Sequence, residues 1–354
     1  MIADAAGLEE LLDRIADYPV IAFDTEADSL HCYFEKLCLI QISTPDENVL
    51  VDPLADVPMQ PLLDAVADKR VVFHGADYDL RLLRRVGTFE PREIFDTMIA
   101  SRLCGVEALG LAALVESHFG VKLSKGSQKA NWARRPLPPE MIDYAMNDTI
   151  YLLELAQRIE AEVRRLGRWE WFVESRDRMV AASREVRERD EESVWRISGS
   201  ARLGPRAQSV LRVLWFWRDA EARAWNRPPF HVISNDDLLK VAECAAAGRP
   251  FSTFRMANRR RRSFEVTLAL ALQVPEAEWP KMERKRGKRR TNDQLKRFDE
   301  LKAIRDRKAT ELQIDPAILA SRGALEATSI DMSSPALMRW QRELLGLDGP
   351  ALAA

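Results

Sequence analysis

VIAFDTE, residues 20–26, decides the architecture. Val20 to Phe23 are apolar without alternation, as in a strand buried on both faces at the centre of a sheet. Asp24 and Glu26 close the run. They are two residues apart, so on a strand both carboxylates point to one face, at the strand's C-terminal end. Like charges that close push each other toward protonation unless cations arrive.

Outward from this stretch, KLCLIQIS (36–43), ENVLVD (47–52) and RVVFHG (70–75) read as further strands. They are short and rich in β-branched residues or flanked by turn formers. The first three strands are joined by short polar links, which predicts an antiparallel meander. DYDLRLLRRVG follows with helical periodicity and stops at Gly87. DTMIASRLCG and LGLAALVESHFG read as helices ending at glycine. From Pro139 the pattern predicts one long amphipathic helix to about Gly167. Strands among helices make this part an α/β fold with a mixed sheet.

Beyond about residue 160 the strand signals stop. Residues 165–200 are charged and helical, with Trp169, Trp171 and Trp195 as packing anchors. A helical module starts at LGPRAQSVLRVLWFWRDAEARAW, where Trp215 and Trp217 have the spacing of core residues. KMERKRGKRR (281–290) holds seven cations and one acid and reads as an exposed linker. The block from Asn292 to Gly346, with Trp340 as a core residue, echoes the first module and predicts a second copy. The expected domains are therefore 1–165, a helical linker 166–203, a module 204–280, a basic linker 281–291, and a divergent copy 292–354.

The chain has 354 residues, 46% hydrophobic and 31% charged, which suits two or three soluble domains with real cores. The net charge of −2 hides polarity along the chain, acids early and dense basic runs late. Cys32, Cys38, Cys104 and Cys244 lack metal-ligand spacing and read as reduced thiols, and the four histidines are too scattered for zinc. No apolar run approaches a membrane span. The N-terminus lacks the basic start and apolar core of a secretory signal, so cytoplasmic residence is expected.

Two more acids extend the pair. Asp79 falls at the start of the helix after RVVFHGA, where the helix dipole favours an anion; Asp77 is placed to cap that helix. Tyr144 and Asp148 are i and i+4 on the helix from Pro139, so they share a face. Asp148 can hold a metal while the Tyr144 hydroxyl orients a water. Carboxylates in apolar settings need compensation, and a pair of Mg²⁺ or Mn²⁺ ions provides it with hard oxygen ligands. Two ions held by shared carboxylates are a recurrent way to cut a phosphodiester. No organic cofactor is implied.

With these residues in order, the chain resembles the DEDD superfamily of 3′-to-5′ exonucleases, in its tyrosine subgroup, and within it the ribonuclease D family. DTE at 24–26 matches the first motif, His74 to Asp79 the second, and Tyr144 to Asp148 the third. KLSKGSQKANWARRPLPPEMIDYAMND (122–148) resembles the family's approach to the third motif. Residues 204–280 resemble an HRDC domain and 292–348 a more divergent copy. The resemblance implies a ribonuclease H-like exonuclease domain followed by two all-α HRDC-like domains. It implies that Asp24, Glu26 and Asp148 ligate one metal ion, that Asp24 reaches a second, that Asp79 supports the second directly or through water, and that Tyr144 positions the attacking water. The implied substrate is RNA, at single-stranded 3′ ends such as those of tRNA precursors. A DNA 3′ exonuclease and a non-catalytic RNA-binding scaffold are the rival readings, the latter disfavoured by the complete acid set.

Leu30, His31, His74 and Tyr78 are close enough to the motifs to stack or wedge terminal bases, whereas Phe23 reads as core. Lys125, Lys129, Trp132, Arg134 and Arg135 lie in a loop suited to clamp phosphates and a base, with Arg135 and Pro136 alternatively fixing a structural corner. Arg259–Arg262 and Lys281–Arg290 are candidate RNA-backbone contacts. The segment ADSLHCYFEKL after the first motif departs from the basic and aromatic pattern of bacterial relatives.

Overall fold

The computed structural model describes residues 1–124, 126–185, 189–251, 256–281 and 290–348. The chain forms two compact units: residues 1–27, 37–185 and 288–354 in one, and 28–36 with 186–287 in the other.

The first unit begins with α1 (Ala5–Ile15), β1 (Val20–Asp28), β2 (Lys36–Ser43) and β3 (Asn48–Val51), followed by α2 (Met59–Ala67), β4 (Arg70–Phe73), α3 (Asp77–Val86) and β5 (Glu93–Asp96). Then come α4 (Thr97–Leu103), α5 (Leu111–Phe119), α6 (Pro139–Ile150), α7 (Leu152–Arg165) and α8 (Trp169–Ser183). The sheet order is β3-β2-β1-β4-β5, so β1 is central. β1 pairs in parallel with β4, β4 in parallel with β5, and β2 antiparallel with β3: the sheet is mixed.

Both faces of β1 are buried. Ile21 and Phe23 join Leu8, Leu11 and Ile15 of α1 and Leu80 and Leu83 of α3. Ala22 joins Val72, Phe95, Leu155, Ile159 and Phe172 on the other side. Each such side chain contributes roughly 1.5–3 kcal/mol when fully buried. Two expectations change. EIFD supplies a fifth strand, four residues too short for a periodic signal. The long helix from Pro139 breaks at Tyr151 into α6 and α7, and Tyr151 packs against Phe119 at 5.5 Å.

The second unit carries α9 (Pro205–Trp225), α10 (Pro229–Val232), α11 (Asn235–Ala246) and α12 (Asn258–Leu272). Leu211, Leu214 and Trp217 of α9 pack with Leu238, Val241 and Phe264, and Trp195 lies in the same core.

The last helices, α13 (Asn292–Leu312), α14 (Pro316–Leu319), α15 (Arg322–Ile330) and α16 (Arg339–Leu344), belong to the first unit. Their own core is small, built on Leu301, Ala320, Leu325, Leu337 and Leu345. Ala309, Ile314, Leu319 and Trp340 instead join the core that lies behind the sheet. Residues 166–183, expected as linker, supply the seat. Arg168 donates to the Leu103 and Leu312 carbonyls at 2.6 and 2.7 Å. Trp171 stacks on Trp340 at 4.7 Å, and Glu174 accepts the backbone N–H groups of Arg339 and Trp340.

Candidate active site

Three elements, β1, α3 and α6, bring the acids together. β1 delivers Asp24 and Glu26, and α6 delivers Tyr144 and Asp148. The placement of α6 begins with Arg135, whose guanidinium grips both Asp52 oxygens at 2.5 Å and donates to the Cys38 and Trp132 carbonyls. Trp132, Leu137, Met141 and Ala145 then pack on Cys38, Leu39 and Leu50. Ser43 on β2 donates to Thr149, the residue after Asp148, at 2.7 Å. The loop ahead of α6 is thus fastened to β2 and β3.

Asp79 is placed from β5. The buried Asp96 carboxylate accepts the amides of Gly75 and Ala76, just before α3, and those of Met98 and Ile99 in α4. One side chain therefore fixes the turn from which α3 starts. Thr25, between the two strand acids, donates to Asp79 at 2.5 Å.

Carboxylate oxygens of Asp24, Glu26 and Asp148 lie within 4.8 Å of one another. Burial, then the charges of Asp79, Asp148 and Glu26, hold Asp24 well above the usual carboxylate range. Burial, then the charges of Asp148 and Asp79, push Glu26 up to about 9. Burial raises Asp79 to about 7, against the hydrogen bond from Thr25, and Asp148 to about 7, against the hydrogen bond from Tyr144. The neighbouring charges that act on Asp24 and Glu26 are themselves carboxylates. A cluster in this condition binds protons or cations. The donor set, all carboxylate oxygen, suits Mg²⁺ or Mn²⁺.

A family model described as a 3′-5′ exonuclease matches residues 1–164. A ribonuclease D of Sphingobium indicum is 34% identical over 250 residues, 68% of this chain and 63% of that protein. A ribonuclease D of Xanthomonas oryzae pv. oryzae is 31% identical across 95% of this chain and 94% of its own length. The chain belongs to the ribonuclease D family. The crystal structure of Escherichia coli RNase D, an exoribonuclease involved in structured RNA processing, superposes with a TM-score of 0.69 at 25% identity, covering 93% of this chain and 89% of that one. The protein is a 3′-5′ exoribonuclease, and the DEDD exonucleases are metal-dependent. No described helix is long and apolar enough to cross a membrane.

Against this ribonuclease D frame, the candidates for substrate contact divide. Trp132 is 1% exposed with its ring 6.0 Å from that of Tyr144, so no face is left for a base. Arg135 is spent on Asp52 and the loop, the structural-corner alternative. His74 pairs with Thr97 through Nδ1 at 2.8 Å, and burial lowers its pKa, so it is neutral near pH 7. Tyr78 is exposed on α3, while Leu30 and His31 belong to the second unit, where His31 pairs with Asp28 at 2.9 Å. Lys125 and residues 282–289 lie outside the described residues. Asp77 caps nothing: Ala76 is the N-cap, and Asp77 pairs with Arg81 one turn on.

Three residues of the site carried no signal of their own in the sequence. Thr25 stands between the two acids of the first motif, Asp96 opens a stretch read as helix, and Gln128 falls in a stretch read as loop. Gln128 hydrogen-bonds the Tyr144 hydroxyl.

Proposed function

We propose that this chain removes nucleotides one at a time from RNA 3′ ends by two-metal hydrolysis, releasing nucleoside 5′-monophosphates. Its proposed substrates are tRNA precursors and other structured RNAs. The observation that carries the mechanism is the crowding of four buried carboxyl groups from three distant segments, each held above its ordinary pKa.

In this reading Asp24, Glu26 and Asp148 hold one ion, and Asp24 with Asp79 the second. Two bound ions would supply a water of lowered pKa and neutralise charge at the departing 3′ oxygen. Uncatalysed phosphate-ester hydrolysis is among the slowest of biological reactions, so positioning also counts heavily. Burial and three neighbouring carboxylates hold the Tyr144 hydroxyl above its ordinary pKa. It stays protonated at working pH. It can therefore orient the attacking water by hydrogen bonding but cannot serve as its base. Asp148 and Gln128 set its direction. Thr25 holds Asp79 in one rotamer while its charge changes.

The helical blocks read as an HRDC domain and a divergent copy. The likeness to the E. coli protein, which processes structured RNA, supports extending that substrate class to this chain.

Digestion of labelled tRNA precursor and single-stranded DNA side by side, with Mn²⁺, tests the reading. Asp24→Ala should lose roughly 10³-fold or more in rate, about 4 kcal/mol. Tyr144→Phe should lower turnover about 10–100-fold with RNA affinity unchanged, since only water alignment is removed. Equal activity of Asp24→Ala and the parent would end the assignment.

A further inference from the structure

β2 is apolar from Leu37 to Ile42 with one exception, Gln41. Its side chain is 0% exposed, and among the described residues neither Nε2 nor Oε1 has a hydrogen-bond partner. A buried amide in that condition is costly, and an apolar residue of the same length would serve the core better. Ser43, two residues on, shows the ordinary outcome for a polar group in this strand: its hydroxyl donates to Thr149 at 2.7 Å.

The face on which Gln41 stands supplies a reason. Ile40 and Ile42 join Ile21 and Phe23 in the core that includes α1 and α3. Side chains alternate along a strand, so Gln41 points to the opposite face. Across the β2–β3 ladder it pairs with Leu50, which packs with Met141 and Ala145 of α6. On β1, the neighbouring strand, Ala22 lies on that same face with Leu152 and Leu155 of α7. Asp24 and Glu26 follow Ala22 at two-residue steps and share its face. The amide is therefore set one strand from the acid pair and beneath the helix that carries Asp148. The hydrogen bond to Asp24 comes from the Thr25 backbone, and that to Asp148 from Tyr144. An ionised carboxylate has about four lone-pair sites, so one donor and a bound cation leave room for another donor.

We propose that Gln41 is a positioning residue of the metal site: its amide donates to the ionised carboxylates of Asp24 and Asp148 when cations are bound, directly or through one internal water. The proposal rests on the two-metal reading and adds to it a residue that touches neither the RNA nor the reacting atoms. Carboxylates that ligate a metal are themselves held by hydrogen bonds, and removing such a holder typically weakens metal binding 10–100-fold. The amide is idle in the metal-free fold and employed in the loaded one. Its removal should therefore act in opposite directions on the two.

The test uses the full chain without RNA. Mn²⁺ binding is measured by titration calorimetry, and the melting temperature is measured in EDTA. Gln41→Met keeps the length of the side chain and removes the amide. It should weaken Mn²⁺ binding roughly 10–100-fold. In EDTA it should melt at or above the temperature of the parent, because a buried polar group without a partner has been taken away. Gln41→Leu, of a different shape, should lose affinity to the same extent. An affinity for Mn²⁺ equal to the parent's overturns the proposal. So does a lower melting temperature in EDTA, which would show that the amide already serves the metal-free fold. A loss confined to one of the two variants would trace the effect to packing and overturn it as well. A parent chain that takes up no Mn²⁺ would refute the two-metal reading itself, whereas a parent that binds Mn²⁺ and variants that match it would refute the role of Gln41 alone.

Discussion

The two helical blocks share a skeleton and differ in what it is used for. Each opens with a 21-residue helix that ends on a non-glycine residue in the left-handed region, Asn226 at φ 47° and Gln313 at φ 54°. Each continues with a four-residue helix begun by proline and a further helix capped by serine, Ser234 or Ser321. In the first block this helix end reaches out through the Asn226 side chain to Tyr33 and Phe34. In the second, the Gln313 carbonyl lies so close to Gly105 that a Cβ there would meet it at 2.3 Å. The first block also builds a full core of its own, while the second borrows the core behind the sheet. Two blocks with one skeleton need not share a partner. A few docking residues, here Gly105, Arg168, Trp171 and Glu174, decide which core it joins.

The largest expected effect tests that close approach. Gly105 sits at φ +86°, so Gly105→Ala adds backbone strain to a collision with a carbonyl that has little room to move. Stability of the first unit should fall by about 3 kcal/mol or more, with the Trp171–Trp340 pair separating in the same transition. Calorimetry with tryptophan fluorescence would show it; an unchanged melt would mean that the second block is not seated against this turn.

Arg168→Met comes next. The guanidinium is 6% exposed and satisfies the carbonyls that end α4 and α13. Methionine fills the space and leaves two acceptors without donors, a cost of about 2–3 kcal/mol. Rate per folded molecule should not change. A fall in turnover without a fall in melting temperature would contradict a purely structural role.

The smallest effect concerns the acids, which share a unit with the second block alone. Asp79 and Asp148 near 7 and Glu26 near 9 are raised above their unfolded values. The folded chain therefore binds more protons than the unfolded one from about pH 4 upward, and metal-free stability falls as pH rises through about 7 to 9. Mn²⁺ displaces those protons, so its stabilisation should be larger at about pH 8 than at about pH 6. Thermal shifts with EDTA and with Mn²⁺ would measure it. The gain should appear in the transition of the first unit and vanish in Asp24→Asn. A metal-induced shift of equal size in that variant would place the ions elsewhere.

The acids were legible because their spacing is local: two residues on a strand, four on a helix. Packing then had only to bring three such signals together. Asp96 and Gln128 were not legible, because each acts on a group distant in the chain and neither spacing nor composition records that. The tryptophans at 169 and 171 read as anchors, but an apolar surface does not name its partner. The allegiance of residues 28–36 was hidden for the same reason. Their polar fasteners, Asp219 in α9 and Asn226 and Arg227 just past its end, belong to a helix that looks self-contained.

That allegiance also has a consequence during synthesis. Tyr33 and Phe34 are separated from Asn226 by 193 and 192 positions. As the chain emerges from the ribosome, the β1–β2 connection has no mate until α9 has been translated, although every strand of the sheet is already available. Contacts of such long separation close slowly. A nascent chain arrested ahead of α9 would carry an assembled sheet with two aromatic rings still waiting, and that intermediate is the one for a chaperone to cover.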